Sequence, residues 1–333
     1  MNIISIIVSF FLFSNTFGDV IVENCNDMIN AFFISRFQDV MVQITSTIIK
    51  CEPHTLFTLN SGNKLTITSS SDEIDELVFE NVGIEISGSE IVIEVNVLFL
   101  ESKNALYVDI DSSAIFLRDL KFRNARFEFE SKEDDYELLN TIYNRGYLIV
   151  DGSSEFFRSY GIFNDESGFI SMKSVDIIEQ AVTGIYNLGK ILINGNSKFV
   201  SIYYGGGIFN EGSISFIKGS NVLFNRCIGC ILTRGHLEFS GPVVFIESSS
   251  SYEGTIVIQS GYMKLSKNSY FFNNISGGEF SEIIFVNRRS QLDYHPESTY
   301  FIGSSSRKPE EIIEFCPGVY FEESGCQNVQ VTI

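Results

Sequence analysis

A catalytic or metal-binding site needs imidazoles, thiols or carboxylates that recur at ligand-like spacings. This chain offers few places where they do. His54, His236 and His295 are isolated from one another and from cysteine, so no zinc-type spacing exists. Glu128, Glu130, Glu133, Asp134, Asp135 and Glu137 form one acidic run, and Asp72, Glu73, Asp75 and Glu76 a shorter one. Clustered carboxylates such as Asp134 and Asp135 are the candidates for a Ca²⁺ site. The run lacks the spacing of an EF-hand loop, and a solvated loop is the simpler reading. Cys227-Ile228-Gly229-Cys230 has redox spacing without the βαβ setting that such a motif requires, so a structural bridge or two free thiols is expected. Asn274-Ile275-Ser276 is a glycosylation sequon, making Asn274 the candidate acceptor on a eukaryotic secretory route. Nothing in this set calls for a cofactor.

Composition narrows the function classes. The chain is 44% hydrophobic with 31 Phe, 14 Tyr and no Trp, too apolar for disorder. Its net charge of -19 repels nucleic acid and anionic lipid. Ile3 to Phe13 is an apolar run, followed by small residues before Asp19, which predicts a signal peptide over 1–18. The run is too short to span a bilayer, and no later stretch qualifies as a transmembrane segment. Six cysteines suit an oxidising compartment. The simplest pairing is local: Cys25 with Cys51, Cys227 with Cys230, and Cys316 with Cys326, with a staple at each end of the protein.

The elements that must position these residues come from a repeat. Isoleucines 162, 185, 208 and 231 stand 23 residues apart. Three of them open a motif: Gly161-Ile162-Phe163-Asn164, Gly184-Ile185-Tyr186-Asn187-Leu188-Gly189 and Gly207-Ile208-Phe209-Asn210-Glu211-Gly212. Thr141-Ile142-Tyr143-Asn144-Arg145-Gly146 precedes them and Cys230-Ile231-Leu232-Thr233-Arg234-Gly235 follows. A short alternating strand comes after each glycine. A coil of one turn per unit explains such a period, because each inward residue then stacks on its equivalent one turn away. The reading is an all-β parallel β-helix of about eleven turns over 56–305, a rod near 50 Å long at the usual strand spacing of about 4.8 Å. An acidic loop at 127–140 interrupts it. A 19–55 cap with a short helix over Asn26 to Arg36 closes one end, and a 306–333 cap the other. The ladder Asn144, Asn164, Asn187, Asn210 is expected at a bend, in left-handed backbone, with its amides hydrogen-bonded along the stack. Glu211 and Arg234 fall on adjacent turns, where a surface ion pair or a binding groove would place them.

Gly205-Gly206-Gly207-Ile208, Phe122-Arg123-Asn124 and Phe271-Phe272-Asn273-Asn274 resemble the paired GGA-[ILV] and FxxN repeats of chlamydial polymorphic membrane proteins and of some protist surface proteins. More broadly, the strands Val40 to Ile44 and Lys64 to Ile67 after a polar helix resemble pectin-lyase-like right-handed β-helices. The resemblance implies a right-handed coil. It also implies two functions: a surface or adhesion protein, or a polysaccharide lyase or hydrolase. Polygalacturonases of that fold carry paired aspartates and a Gly-His-Gly element; here Gly235-His236-Leu237 is the partial match and no aspartate pair accompanies it. His236 joins Glu211 and Arg234 as a candidate binding residue, with no catalytic set assigned. The expected function is a secreted structural or adhesion protein whose solenoid meets a glycan or an extracellular protein, with the enzyme as the alternative. Oligomeric state is left open.

Overall fold

Stacked, identically patterned strands have one efficient way to satisfy their backbone groups, which is to pair in parallel with the next turn. In the computed structural model the chain does this, winding into a parallel β-solenoid of about ten turns. The structure describes residues 18–302 except positions 61, 72–73, 103–104, 126–139, 181–182, 204–205, 218, 251–254, 277–283, 288–289 and 296–297, together with strands at 313–316 and 327–329. The signal segment before Gly18, the acidic loop with Asp134 and Asp135, and Cys326 lie outside the described residues. So does the side chain of Cys316, and with it the second staple.

Each full turn contributes a strand to three faces. Face 1 contains Val40–Ile44, Lys190–Ile193, Ser213–Phe216 and His236–Phe239. Face 2 contains Asn96–Leu100, Leu120–Arg123, Val222–Cys227 and Val243–Ile246. Face 3 contains Leu106–Val108, Ile142–Asn144, Ile162–Asn164, Ile185–Asn187, Ile208–Asn210 and Ile231–Thr233. The ladder already begins at Gly18–Val22, which pairs in parallel with Val40–Ile44. On face 3 it ends where Gln327–Val329 runs antiparallel to Ile313–Phe315.

The core is a set of columns. Ile142, Ile162, Ile185, Ile208 and Ile231 pair in register on face 3 and are all buried. On face 2, Phe99, Phe122 and Phe156 stack at centroid distances of 5.3 and 4.8 Å, and Phe199, Phe224, Phe245 and Phe271 continue at 4.7 Å per step. Parallel rings one strand spacing apart gain dispersion contacts on both sides.

The helix spans Cys25–Ile34, starting one residue and ending two residues before the Asn26 to Arg36 span expected from sequence. Asn24 caps it, its side chain accepting from Asn26 N and Asp27 N. Met28, Ala31 and Phe32 are buried, Phe32 lies 5.0 Å from Phe57, and a Cys25–Cys51 disulfide fastens the helix to the first turns.

Candidate functional site

The corner from face 3 to face 1 is built by the asparagine column. Asn144 donates to Asn164 Oδ1 at 2.7 Å, Asn164 to Asn187 and Asn187 to Asn210 at 2.8 Å, and Asn210 to Thr233 Oγ1 at 3.2 Å. All five residues are fully buried. The amide ladder expected from sequence therefore exists, but the left-handed backbone expected with it does not. These asparagines end β-strands and have negative φ. Their amides point inward and bond to one another, to the backbone just past the corner, as Asn164 does to Gly168 O at 3.1 Å, and to that of the next turn, as Asn164 does to Lys190 O at 3.4 Å, so no local left-handed turn is needed. The glycines that follow serve a different need. A Cβ on Gly212 would sit 2.2 Å from Gly189 O and 2.4 Å from Leu188 O, so only glycine lets successive turns close here.

The left-handed backbone occurs instead at the corner from face 2 to face 3. Asn81, Glu101, Asn124, Arg158, Glu179, Ser201, Arg226, Glu247 and Asn273 all have φ between +49° and +61°. Each is in register with the next, and the residue after it turns inward. Asn274 is one of those inward residues. It is fully buried, Oδ1 accepting from Ser248 N at 2.9 Å and Nδ2 donating to Phe245 O at 3.1 Å. The folded chain thus offers no free amide at this sequon. Cys227 is another inward residue. It and Cys230 are buried free thiols, Cys230 Sγ bonded to Cys227 O at 3.4 Å, and burial pushes the Cys227 thiol up. The local Cys227–Cys230 bridge expected from sequence is therefore not formed; the other outcome anticipated for this pair, two free thiols, is the one observed.

Two further columns run beside the asparagines, one of aromatic rings that are partly exposed except for the buried Phe163 and one of mostly charged side chains. On face 3, Tyr107, Tyr143, Phe163, Tyr186 and Phe209 stack ring on ring, at 5.3, 4.9, 5.1 and 4.5 Å with planes within 18°. Burial raises the hydroxyl pKa of Tyr107 and Tyr143. At the adjoining corner stand Asp109, Arg145, Asp165, Leu188, Glu211, Arg234 and Gln259. Arg145 bridges Asp109 at 3.3 Å and Asp165 at 3.2 Å, and Arg234 pairs with Glu211 at 2.7 Å and Gln259 at 2.7 Å while lying over the Phe209 ring at 5.5 Å. Glu211 and Arg234 are thus neighbours, as their spacing requires, within a longer charge ladder.

His236 lies on face 1. Its ring stacks on Tyr262 at 4.9 Å and its Nε2 is 3.8 Å from Glu238. Lys264, one turn on, donates to Glu238 at 2.8 Å, and Tyr262 donates to Asp293 at 3.2 Å. The Lys264–Glu238 hydrogen bond holds the Glu238 carboxyl below the usual range and the Lys264 ammonium above its own, while burial raises the Tyr262 hydroxyl. Glu238 is therefore a poor acid near neutrality, and Lys264 and Tyr262 are poor bases. The cluster is built for charge pairing, with His236 at the edge of the Glu238–Lys264 pair. No group of three or more His, Cys, Asp or Glu side chains that could hold a metal occurs among the described residues.

The aromatic column carries no motif beyond its own alternation, with Tyr or Phe between an inward Ile and an inward Asn in Ile142–Asn144, Ile162–Asn164, Ile185–Asn187 and Ile208–Asn210. That alternation was the available signal. No family model, curated protein or solved structure matches the chain. The likeness to polymorphic membrane protein repeats and pectin lyases therefore rests on the residues quoted above.

Proposed function

We propose that this chain is a secreted structural or adhesion protein that works at a cell surface, wall or coat by presenting face 3. One observation carries the reading: a stack of five aromatic rings, four of them partly exposed, runs along face 3 with a charge ladder, interrupted at Leu188, at its side. Outward aromatics and arginines are the residue types that anchor interfaces. The apolar leader and the Cys25–Cys51 disulfide support an exported location. No helix among the described residues is long and apolar enough to cross a membrane.

The test is binding of the purified protein to a glycan array, to intact cells or walls, and to itself. Tyr186→Ser and Phe209→Ser should abolish whichever association is found, and the outward face 1 variant Ser215→Ala should leave it intact. Association that ignores both face 3 variants would refute the reading. A second reading, a carbohydrate-active enzyme on the same scaffold, would draw on the His236, Glu238 and Lys264 cluster on adjacent turns, where His236 stacks on Tyr262. It predicts unsaturated or reducing ends released from acidic polysaccharides and lost in His236→Ala; their absence would dismiss it.

A further inference from the structure

Face 3 has a geometric property that limits what can cover it. Its rings lie face to face, so they show solvent their edges rather than the flat π-surfaces on which a pyranose ring would stack. The column repeats at the strand spacing of about 4.8 Å. A partner that meets each ring with a group of its own must share that pitch, and another copy of this rod does so by construction.

Charge then favours one antiparallel arrangement. In strand register, the corner column runs Ser87, Asp109, Arg145, Asp165, Leu188, Glu211, Arg234, Gln259. Turn a second rod antiparallel, face 3 to face 3, about a twofold axis between the rungs of Phe163 and Tyr186. Arg145 then meets Glu211 of the other copy, and Asp109 meets its Arg234; the symmetry repeats both pairs. Tyr143 faces Phe209, the rung of the buried Phe163 faces that of Tyr186, and at the corner Asp165 faces Leu188. A shift of the axis by half a rung either way destroys this. Centred on Phe163, Asp165 opposes itself and Asp109 opposes Glu211. Centred on Tyr186, Arg145 opposes Arg234 and Asp165 opposes Glu211. A twofold axis parallel to the rods would leave the charge column with no counterpart. The side chains of Asp109, Arg145, Glu211 and Arg234 are 29%, 35%, 35% and 46% exposed, enough to take a second partner without leaving the first.

We propose that face 3 is a self-association surface, joining two copies in this antiparallel register. The inference rests on the reading of face 3 as the working surface and names its partner. Six rungs make a strip roughly 25–30 Å long at the strand spacing, a narrow surface that belongs with the smaller class of specific interfaces. The contact is isologous and closes at two copies.

The experiment is light scattering of the secreted protein at micromolar concentration, in low and in high salt, with register mapped by cysteine cross-linking. A dimer is expected that dissociates at least tenfold more readily in Arg234→Glu and in Phe209→Ser, both checked for an unchanged circular dichroism spectrum. Mixing a Tyr143→Cys protein with a Phe209→Cys protein should give a cross-linked pair, and mixing Tyr107→Cys with Phe209→Cys should not. A monomer at every concentration, a dimer indifferent to both variants, or equal cross-linking in the two mixtures each overturns the proposal. A monomer that still binds a glycan or protein through face 3 would sink the self-association alone. A monomer with a silent face 3 would sink the functional reading as well.

Discussion

Removing one amide from the middle of the asparagine ladder should cost far more than an average polar substitution. Asn187 accepts from Asn164 at 2.8 Å and donates to Asn210 at 2.8 Å, with further contacts to Gly189 O at 3.1 Å and Ser213 O at 3.3 Å. In Asn187→Ala, Asn164 keeps Gly168 O at 3.1 Å, and Gly189 O keeps the Ser213 amide at 2.8 Å. Asn210 Oδ1 loses the donor that served it and stays buried. Two lost bonds at about 1 kcal/mol each, plus about 1–3 kcal/mol for one orphaned acceptor, give about 3–5 kcal/mol. Urea unfolding measures it, since the midpoint should fall while the slope stays constant. The outward control Ser215→Ala should change stability by less than about 0.5 kcal/mol. Amide hydrogen exchange should show the loss concentrated in the turns of Asn164 and Asn210, because a solenoid couples mainly neighbouring turns. A loss below about 1 kcal/mol, or one spread evenly along the rod, would refute the claim that the ladder stabilises its own turns.

Three further outcomes follow from the same geometry. Gly212→Ala should destabilise by at least about 2 kcal/mol or prevent folding, because the new methyl meets backbone oxygens that cannot retreat; thermal melts would register it. Cys25→Ser should lose about 3.5 kcal/mol by the loop-closure estimate for a 26-residue separation, with faster exchange confined to the first turns; an unchanged unfolding curve would contradict it. Glu238 has a lowered folded pKa, so its pairing with Lys264 stabilises above the unfolded carboxyl pKa of about 4.3 and is lost as pH falls through the lower folded value. The wild-type advantage over Glu238→Gln should be at most about 1 kcal/mol at pH 7, as for a partly exposed pair, and vanish in acid. An advantage that grew on acidification would reverse the sign of this account.

The solenoid was legible because its period is written in buried residues. Each turn must present the same inward shape to its neighbours, so Ile162, Ile185, Ile208 and Ile231 repeat, and Asn164, Asn187 and Asn210 with them. The left-handed corner was invisible for the opposite reason. Arg158, Glu179, Ser201 and Arg226 share a backbone conformation and no side-chain property. The packing of the inward residues on either side imposes it, against a modest local preference. The same blindness concealed that Asn274 turns inward, since a sequon reads identically on either side of a wall. The aromatic column lay in plain view but was overshadowed by the isoleucines and asparagines flanking it. Glu211 beside Arg234 needed only the period; the wider ladder of Asp109, Arg145 and Asp165 needed the register across the acidic insertion, which spacing alone does not supply.

That corner also has a consequence for how the protein can change. The strands before and after it hold their registers whatever lies between: Arg123 pairs with Phe157 and Ile142 with Ile162, although the passage from Asn124 to Ile142 is long and that from Arg158 to Ile162 short. Loop length there is decoupled from pitch. Evolution can lengthen, shorten or exchange these segments one turn at a time, and a protein engineer can graft foreign peptides at the same points, displaying them in a row along one edge of an otherwise unaltered rod.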